Sequence, residues 1–249
     1  MKAFLITLLF LLSIILSGLR PAEVDSDSFA VVELFTSEGC SSCPAADELL
    51  KEMTGILRKE NKNVIALSYH VTYWDKQGWL DPYSNELFTE RQKKYVAALN
   101  LTQLYTPQAI VNGSLEFTGS NPFGFRSAVE TCVAKPSSYI LNGEATLHDS
   151  TLTLSYDLNK VPKNAAVQIA VVEKNIVHRV LRGENKNRTL KHFNVVRNFE
   201  TREVKSKDSV NLKLKEAFKA DQIELVVMIQ NSKNLKIIHA IRIHVKSTT

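Results

Sequence analysis

The chain is poor in the residues that cross-link or punctuate a fold. Its 249 residues include 3 cysteines, 9 glycines, 7 prolines and 2 tryptophans. So few cysteines exclude a disulfide-stapled scaffold, and an odd number leaves at least one thiol outside any internal pair. So little glycine and proline excludes collagen-like and low-complexity chains. Long apolar runs are also lacking beyond the N-terminus, so no later segment is a candidate to cross a membrane. What is present is globular usage, 44% apolar and 23% charged, enough for a sizeable core. The length exceeds one ordinary domain of about 100 to 200 residues and implies two compact units.

The apolar exception runs uncharged from Ala3 to Leu16, follows Lys2 and ends at Ser17-Gly18. That is the n-region and h-region of an export signal, covering about residues 1–22. Extended to Leu19, the run sits at the lower edge of the roughly 20 residues that span a bilayer, so an uncleaved anchor stays open. Export, periplasmic or secreted, places the cysteines in an oxidising compartment.

The formal charge of +5 is unevenly spread. Residues 21–139 hold 10 Lys and Arg against 15 Asp and Glu, whereas residues 140–249 hold 19 against 11. An acidic first unit, 28–138, and a basic second unit, 140–247, are expected. The basic residues of the second are scattered singly among apolar strand positions, which argues against a nucleic-acid partner.

Ala30 to Phe35 is a short β-branched run, followed by Thr36-Ser37-Glu38-Gly39-Cys40-Ser41-Ser42-Cys43-Pro44. Beyond it, Ala46, Leu49, Leu50, Met53, Ile56 and Leu57 recur at helical spacing, which predicts strand, tight turn and a helix over 43–60. Cys40 then falls at the helix N-terminus, where unpaired N–H groups and the dipole favour a thiolate. The two-residue spacing lets Cys43 close a short disulfide behind it, with Cys40 as an exposed nucleophile of lowered pKa and Cys43 resolving. Two other readings of the pair stay open. Reduced Cys40 and Cys43 with His70 would make a copper-handling site, and an unreactive bridge would suit a non-catalytic envelope binding protein. No resident cofactor is implied.

Asn63 to Val71 reads as a second strand reached through the helix, making a βαβ unit. A second helix follows near 85–99, then Tyr105-Thr106-Pro107-Gln108 and a hairpin turning at Asn112-Gly113. This order resembles the thioredoxin fold. In that resemblance Pro107 takes the place of the cis-proline facing the disulfide, with Thr106 and Pro107 lining a substrate groove. Glu33 to Ser37, the stretch from Ser68 to Tyr83, and Tyr105 to Gln108 together resemble an exported bacterial thioredoxin-like family catalogued as domain of unknown function 1223. The likeness extends to Arg182-Gly183-Glu184-Asn185 and Asn194 to Arg197. It implies a thioredoxin-like domain, export and a redox role on protein thiols or disulfides.

His70 ends a parallel strand, the edge at which open α/β sheets build sites. With Asp75 nearby it is a candidate proton shuttle. Trp74 and Trp79 suit a local packing cluster, and Cys132 a small buried hydrophobe or a partner thiol. From Glu144 the period changes to two. About seven strands are expected, built as an immunoglobulin-like sandwich. The polar segment 182–192 reads as a loop whose Glu184, Arg188 or His192 meets the first domain across complementary charge. The expectation is therefore an α/β thioredoxin-like domain followed by an all-β sandwich.

Overall fold

The protein is described by a computed structural model covering residues 28–247. The expected export signal or anchor, 1–22, lies outside the described residues. Among the described residues no helix is long and apolar enough to cross a membrane.

Strand β1, Ala30–Thr36, is buried at every position. It reads as an unbroken run because both of its faces are covered. Helix α1, Cys43–Lys59, starts at Cys43 with Pro44 in its first turn, where a missing N–H costs nothing. Its buried stripe of Ala46, Leu50, Met53 and Leu57 lies on one face of the sheet. Strand β2, Val64–His70, runs parallel to β1 in the register Ala30↔Val64 through Thr36↔His70. Helix α2, Glu86–Ala98, is capped by Asn85, which accepts from the Leu87 N–H at 3.0 Å. It lies on the opposite face, through Phe88 and Tyr95. Strands β3, Gln108–Val111, and β4, Leu115–Thr118, form the expected hairpin. Asn112 and Gly113 both have positive φ, 47° and 62°, as a two-residue primed turn requires. A Cβ on Gly113 would sit 2.0 Å from the Leu235 carbonyl oxygen, so glycine is demanded twice over. Helix α3, Pro122–Val133, then returns beside α1.

The remaining strands are β5 (Leu141–His148), β6 (Thr151–Leu158), β7 (Ala165–Arg179), β8 (Thr189–Glu203), β9 (Lys207–Lys213), β10 (Ile223–Asn231) and β11 (Ile237–Ser247). All eleven strands form one mixed sheet in the order β4-β3-β1-β2-β8-β7-β10-β11-β5-β6-β9. This overturns the expected thioredoxin-like α/β domain followed by an immunoglobulin-like sandwich. The outer edge of β2 is occupied, since Ser68 pairs with Val195 of β8 in parallel. The Ser68 hydroxyl donates to the Phe193 carbonyl at 2.8 Å and the Asn194 amide to the Ala66 carbonyl at 2.9 Å, fixing the junction. The far end of the sheet bends so that β5, β6 and β9 cover one face of β7 and β10, enclosing an aliphatic core that includes Leu152, Leu154, Val171, Val210, Leu225 and Val227.

Strands β7 and β8 are 15 residues each and are the reason the two halves merge. Their register runs from Ala166↔Glu203 to Arg179↔Thr189, so the long hairpin extends beyond the aliphatic core and reaches the Cys40 turn. Residues 189–192, expected in a polar loop, are strand. Of these, the His192 side chain lies buried against Glu38 and Asp47 of the first half, a burial that hydropathy does not register.

Candidate functional site

The chain after β1 turns tightly. The Cys40 N–H donates to the Ser37 carbonyl and the Cys43 N–H to the Cys40 carbonyl, at 3.2 and 3.3 Å. Cys40 and Cys43 are joined in a disulfide. Cys40 lies in the turn before the helix and Cys43 is the first helical residue, so the dipole acts on both from the N-terminal end. The expected exposure of Cys40 is not met: Cys40 is 1% exposed and Cys43 0%, while Ser41 and Ser42 between them are exposed. The Ser42 hydroxyl lies 3.4 Å from Cys40 Sγ.

The turn that carries the sulfurs is bound by the other half of the chain. Between β7 and β8, the loop 181–188 folds over the turn as a strap. The Asn185 amide donates to the carbonyls of both Glu38 and Cys40 at 2.9 Å. Glu184 accepts from the Ser41 N–H at 3.0 Å, and Arg188 donates to Asn185 Oδ1 at 2.7 Å. Gly183, at φ 74°, lies where a Cβ would come within 3.0 Å of Trp79 Cβ. Of the three expected interface residues, Glu184 binds the turn directly, Arg188 holds the residue that does, and His192 lies buried beneath.

Under the turn is a chain of buried acids and imidazoles. Glu38 accepts from His192 Nε2 at 3.0 Å, His178 Nδ1 at 2.9 Å and Trp79 Nε1 at 2.8 Å. Burial alone would raise its pKa, but these donors, His192 foremost, hold the carboxyl below its usual range. His192 faces two carboxylates, since its Nδ1 also lies 3.2 Å from Asp47 Oδ2. Burial opposes the imidazolium, yet the bonds to Asp47 and Glu38 outweigh it and raise His192 to about 9. His70 packs edge-on against His192, ring centres 4.8 Å apart, and Tyr83 packs against both rings.

His70 Nδ1 donates to Asp81 at 2.7 Å, and Asp81 also accepts from the Glu38 N–H at 2.8 Å. Burial works against the Asp81 charge, but His70 and these bonds depress it to about 2. Asp75, the expected partner of His70, instead accepts from the Asp81 N–H at 3.2 Å and the Ser84 hydroxyl at 2.7 Å. It shapes the loop that carries Asp81 and is itself raised by burial.

The Thr106-Pro107 bond is cis. Trp74 ties it to the disulfide turn: its Nε1 donates to the Thr106 hydroxyl at 2.7 Å, while its Cβ lies 3.1 Å from where a Gly39 Cβ would be. Cys132 is buried among the α1 and α3 side chains, and burial pushes its thiol up to about 11. Among the described residues no three or more His, Cys, Asp and Glu side chains are arranged to hold a metal ion, and both site sulfurs are spent in the disulfide.

Three buried polar atoms at the site have no hydrogen-bond partner among the described residues: Thr36 Oγ1, Asp47 Oδ1 and His70 Nε2. Thr36 and His70 are register partners at the ends of β1 and β2. Asp47 follows Cys43 by four residues on α1, so the two share a helix face. Sequence reading missed Glu38, Asp47, Asp81, His178 and Asn185. Glu38, Asp47, His178 and Asn185 act through partners in the other half of the chain, Asp81 joins His70 to the Glu38 N–H, and only Glu38 stands inside the motif.

The family model for "Protein of unknown function (DUF1223)" matches residues 31–230. No curated protein matches the chain. A crystal structure of protein AGR_C_4864 from Agrobacterium tumefaciens is similar at 27% identity and a TM-score of 0.64, covering 86% of this chain and 92% of that one. A domain of the outer membrane lipoprotein Omp28 from Porphyromonas gingivalis aligns at 9% identity and a TM-score of 0.30, covering 45% of this chain and 92% of its own, too distant to carry an argument.

Proposed function

The chain belongs to the DUF1223 family of proteins of unknown function, and from its own residues we propose that it is an exported dithiol–disulfide exchange protein acting on protein thiols or disulfides through Cys40 and Cys43. One observation carries this reading: the orphaned atoms Thr36 Oγ1, Asp47 Oδ1 and His70 Nε2 belong to the strand ends and the helix turn that flank a buried disulfide. A buried polar group without a partner costs about 1–3 kcal/mol, and a disulfide has no S–H to offer. Reduction creates two thiols, each a weak donor and acceptor. In this reading the orphaned atoms are partners kept for the dithiol state.

The exchange balances as follows. A partner thiolate attacks Cys40 Sγ, the Cys40–Cys43 bond breaks, and its electron pair leaves on Cys43 Sγ. That sulfur takes a proton from the His192 imidazolium by way of Asp47. A second partner thiolate then attacks the partner sulfur of the mixed disulfide, releasing Cys40 as thiolate and the partner as disulfide. Two electrons pass to the protein and the partner dithiol is oxidised; the reverse sequence reduces a partner disulfide. Because both sulfurs are buried, exchange starts from a minor open form in which Asn185 and Glu184 release the turn.

The test is equilibration with glutathione buffers, thiols being trapped by alkylation, on the parent protein and on Asn185→Ala. The expected potential lies above about −300 mV. Loosening the strap by one or two hydrogen bonds should speed reduction about ten-fold, and Cys43→Ala should accumulate mixed disulfides. Burial of both sulfurs favours a second reading, an unreactive bridge that locks the strap to the turn. A potential below about −300 mV, with no exchange even in Asn185→Ala, selects that reading and removes the first.

A further inference from the structure

On the sheet face opposite the disulfide, helix α2 passes over β7, β8 and β10 without closing onto them and leaves a cavity of about 810 Å3. Small-molecule sites are of this size, about 300–1,000 Å3, with mostly apolar walls and a few convergent polar groups. Here the walls include Tyr95, Phe199, Leu235 and the exposed Leu87. The floor is polar. Gln168, 7% exposed, uses its Oε1 to accept from the Thr201 hydroxyl at 2.6 Å. Its amide nitrogen has no partner among the described residues. Arg91, also 7% exposed, donates once each to Glu33, Gln230 and Tyr95, although a guanidinium carries five N–H groups. The unspent groups of Gln168 and Arg91 are therefore donors, which call for an acceptor.

Charge at the mouth points the same way. Lys94 of α2 and Lys233 of the β10–β11 turn line it, and neither forms an ion pair with a described residue. The nearby Glu90 carboxylate is already met by Lys93 at 2.7 Å, and the Arg91 charge by Glu33 at 2.7 Å. Lys94 shares the Glu90 charge with Lys93, and with Lys233 unpaired among the described residues the mouth is left positive.

We propose that this cavity binds an amphipathic carboxylate, a single acyl-type chain with one anionic head. The head takes the Gln168 amide and the unspent Arg91 donors, the chain lies along Phe199 and Tyr95, and Lys94 and Lys233 supply the attraction for a negative ligand. The site is separate from the disulfide and does not depend on its chemistry.

The experiment is calorimetric titration of the protein with decanoate, with decanol and decylamine as matched probes. Decanoate is expected to bind, and the other two at least about ten-fold more weakly, the loss of roughly one charge-assisted hydrogen bond. Gln168→Leu should weaken decanoate about ten-fold, and Lys94→Glu with Lys233→Glu should weaken it most at low salt. Ala98→Trp, which adds a large side chain to the lining, should abolish binding. The proposal is overturned if decanoate does not bind up to millimolar concentration, or if decanol matches it. It is equally overturned if Gln168→Leu and Ala98→Trp, both folded by circular dichroism, bind like the parent.

Discussion

Two clusters of buried charge tie the halves of the sheet together, and they are finished to different degrees. On the α2 face, Arg91 donates to Glu33, Gln230 and Tyr95, the Tyr95 hydroxyl donates in turn to Glu33, and Gln230 donates to Tyr95 at 2.8 Å. The guanidinium also lies over the rings of Tyr95 and Phe199. None of these four residues has a buried atom without a partner among the described residues, and the orphan on this face is the neighbouring Tyr69 hydroxyl. On the α1 face, the Glu38–His192–Asp47 chain is equally buried but leaves atoms of Asp47, His70 and Thr36 unmatched. Folding alone rewards the first arrangement, since a polar network in which every buried member has a partner rigidifies a core. The second carries a cost that folding does not explain, and the cost lies beside the one bond whose chemistry changes its neighbours' partners.

Three measurements bear on that contrast. The largest effect is expected in the satisfied cluster. Arg91→Met leaves the Glu33 carboxylate buried without its cation and should destabilise the protein by about 3–5 kcal/mol in urea unfolding. An effect under about 1 kcal/mol would mean the cluster is no better matched than its counterpart.

Next comes pH. His192 is raised to about 9 in the folded protein, from an unfolded value of about 6.5. Its contribution is therefore fully present below about pH 6.5 and is lost as pH rises through about 9, on the order of 3 kcal/mol in all. Urea midpoints should fall across that window and flatten in His192→Gln. A parent protein with no alkaline decline would show that His192 is neutral in the fold.

The smallest effect is the most discriminating. Thr36→Val removes one orphaned hydroxyl. It should stabilise the oxidised protein by about 1 kcal/mol and make the disulfide harder to reduce by about 20–30 mV. A destabilised oxidised form would mean that Thr36 Oγ1 has a partner there and was not kept for the dithiol.

The elements of the first half were legible because their signals are local: the apolar run of β1, the helical spacing from Ala46 to Leu57, and the Asn112-Gly113 turn. The Cys40–Cys43 pairing was legible for the same reason. The architecture was not, because a strand buried on both faces reads alike at a sheet edge and in its middle. Nothing in Val64 to His70 announces that β8 will lie beside it. The site was half legible for a related cause. His70 and Glu184 drew attention by position and charge, but Asp81 and Asn185 matter only because of loops brought to them, Asn185 by a hairpin whose length is hidden in the sequence where Glu173, Lys174 and Asn175 interrupt the apolar pattern.

The junction between β2 and β8 also governs how the protein must be made. Until β8 has been synthesised, the outer edge of β2 presents unpaired backbone groups on a wholly buried strand, the kind of edge that recruits a foreign strand. A nascent chain halted before residue 189, or an expression fragment ending at the charge boundary near 139, would carry that edge into solution. The same pairing that brings the strap to the disulfide thus makes the first half dependent on the second for protection against aggregation.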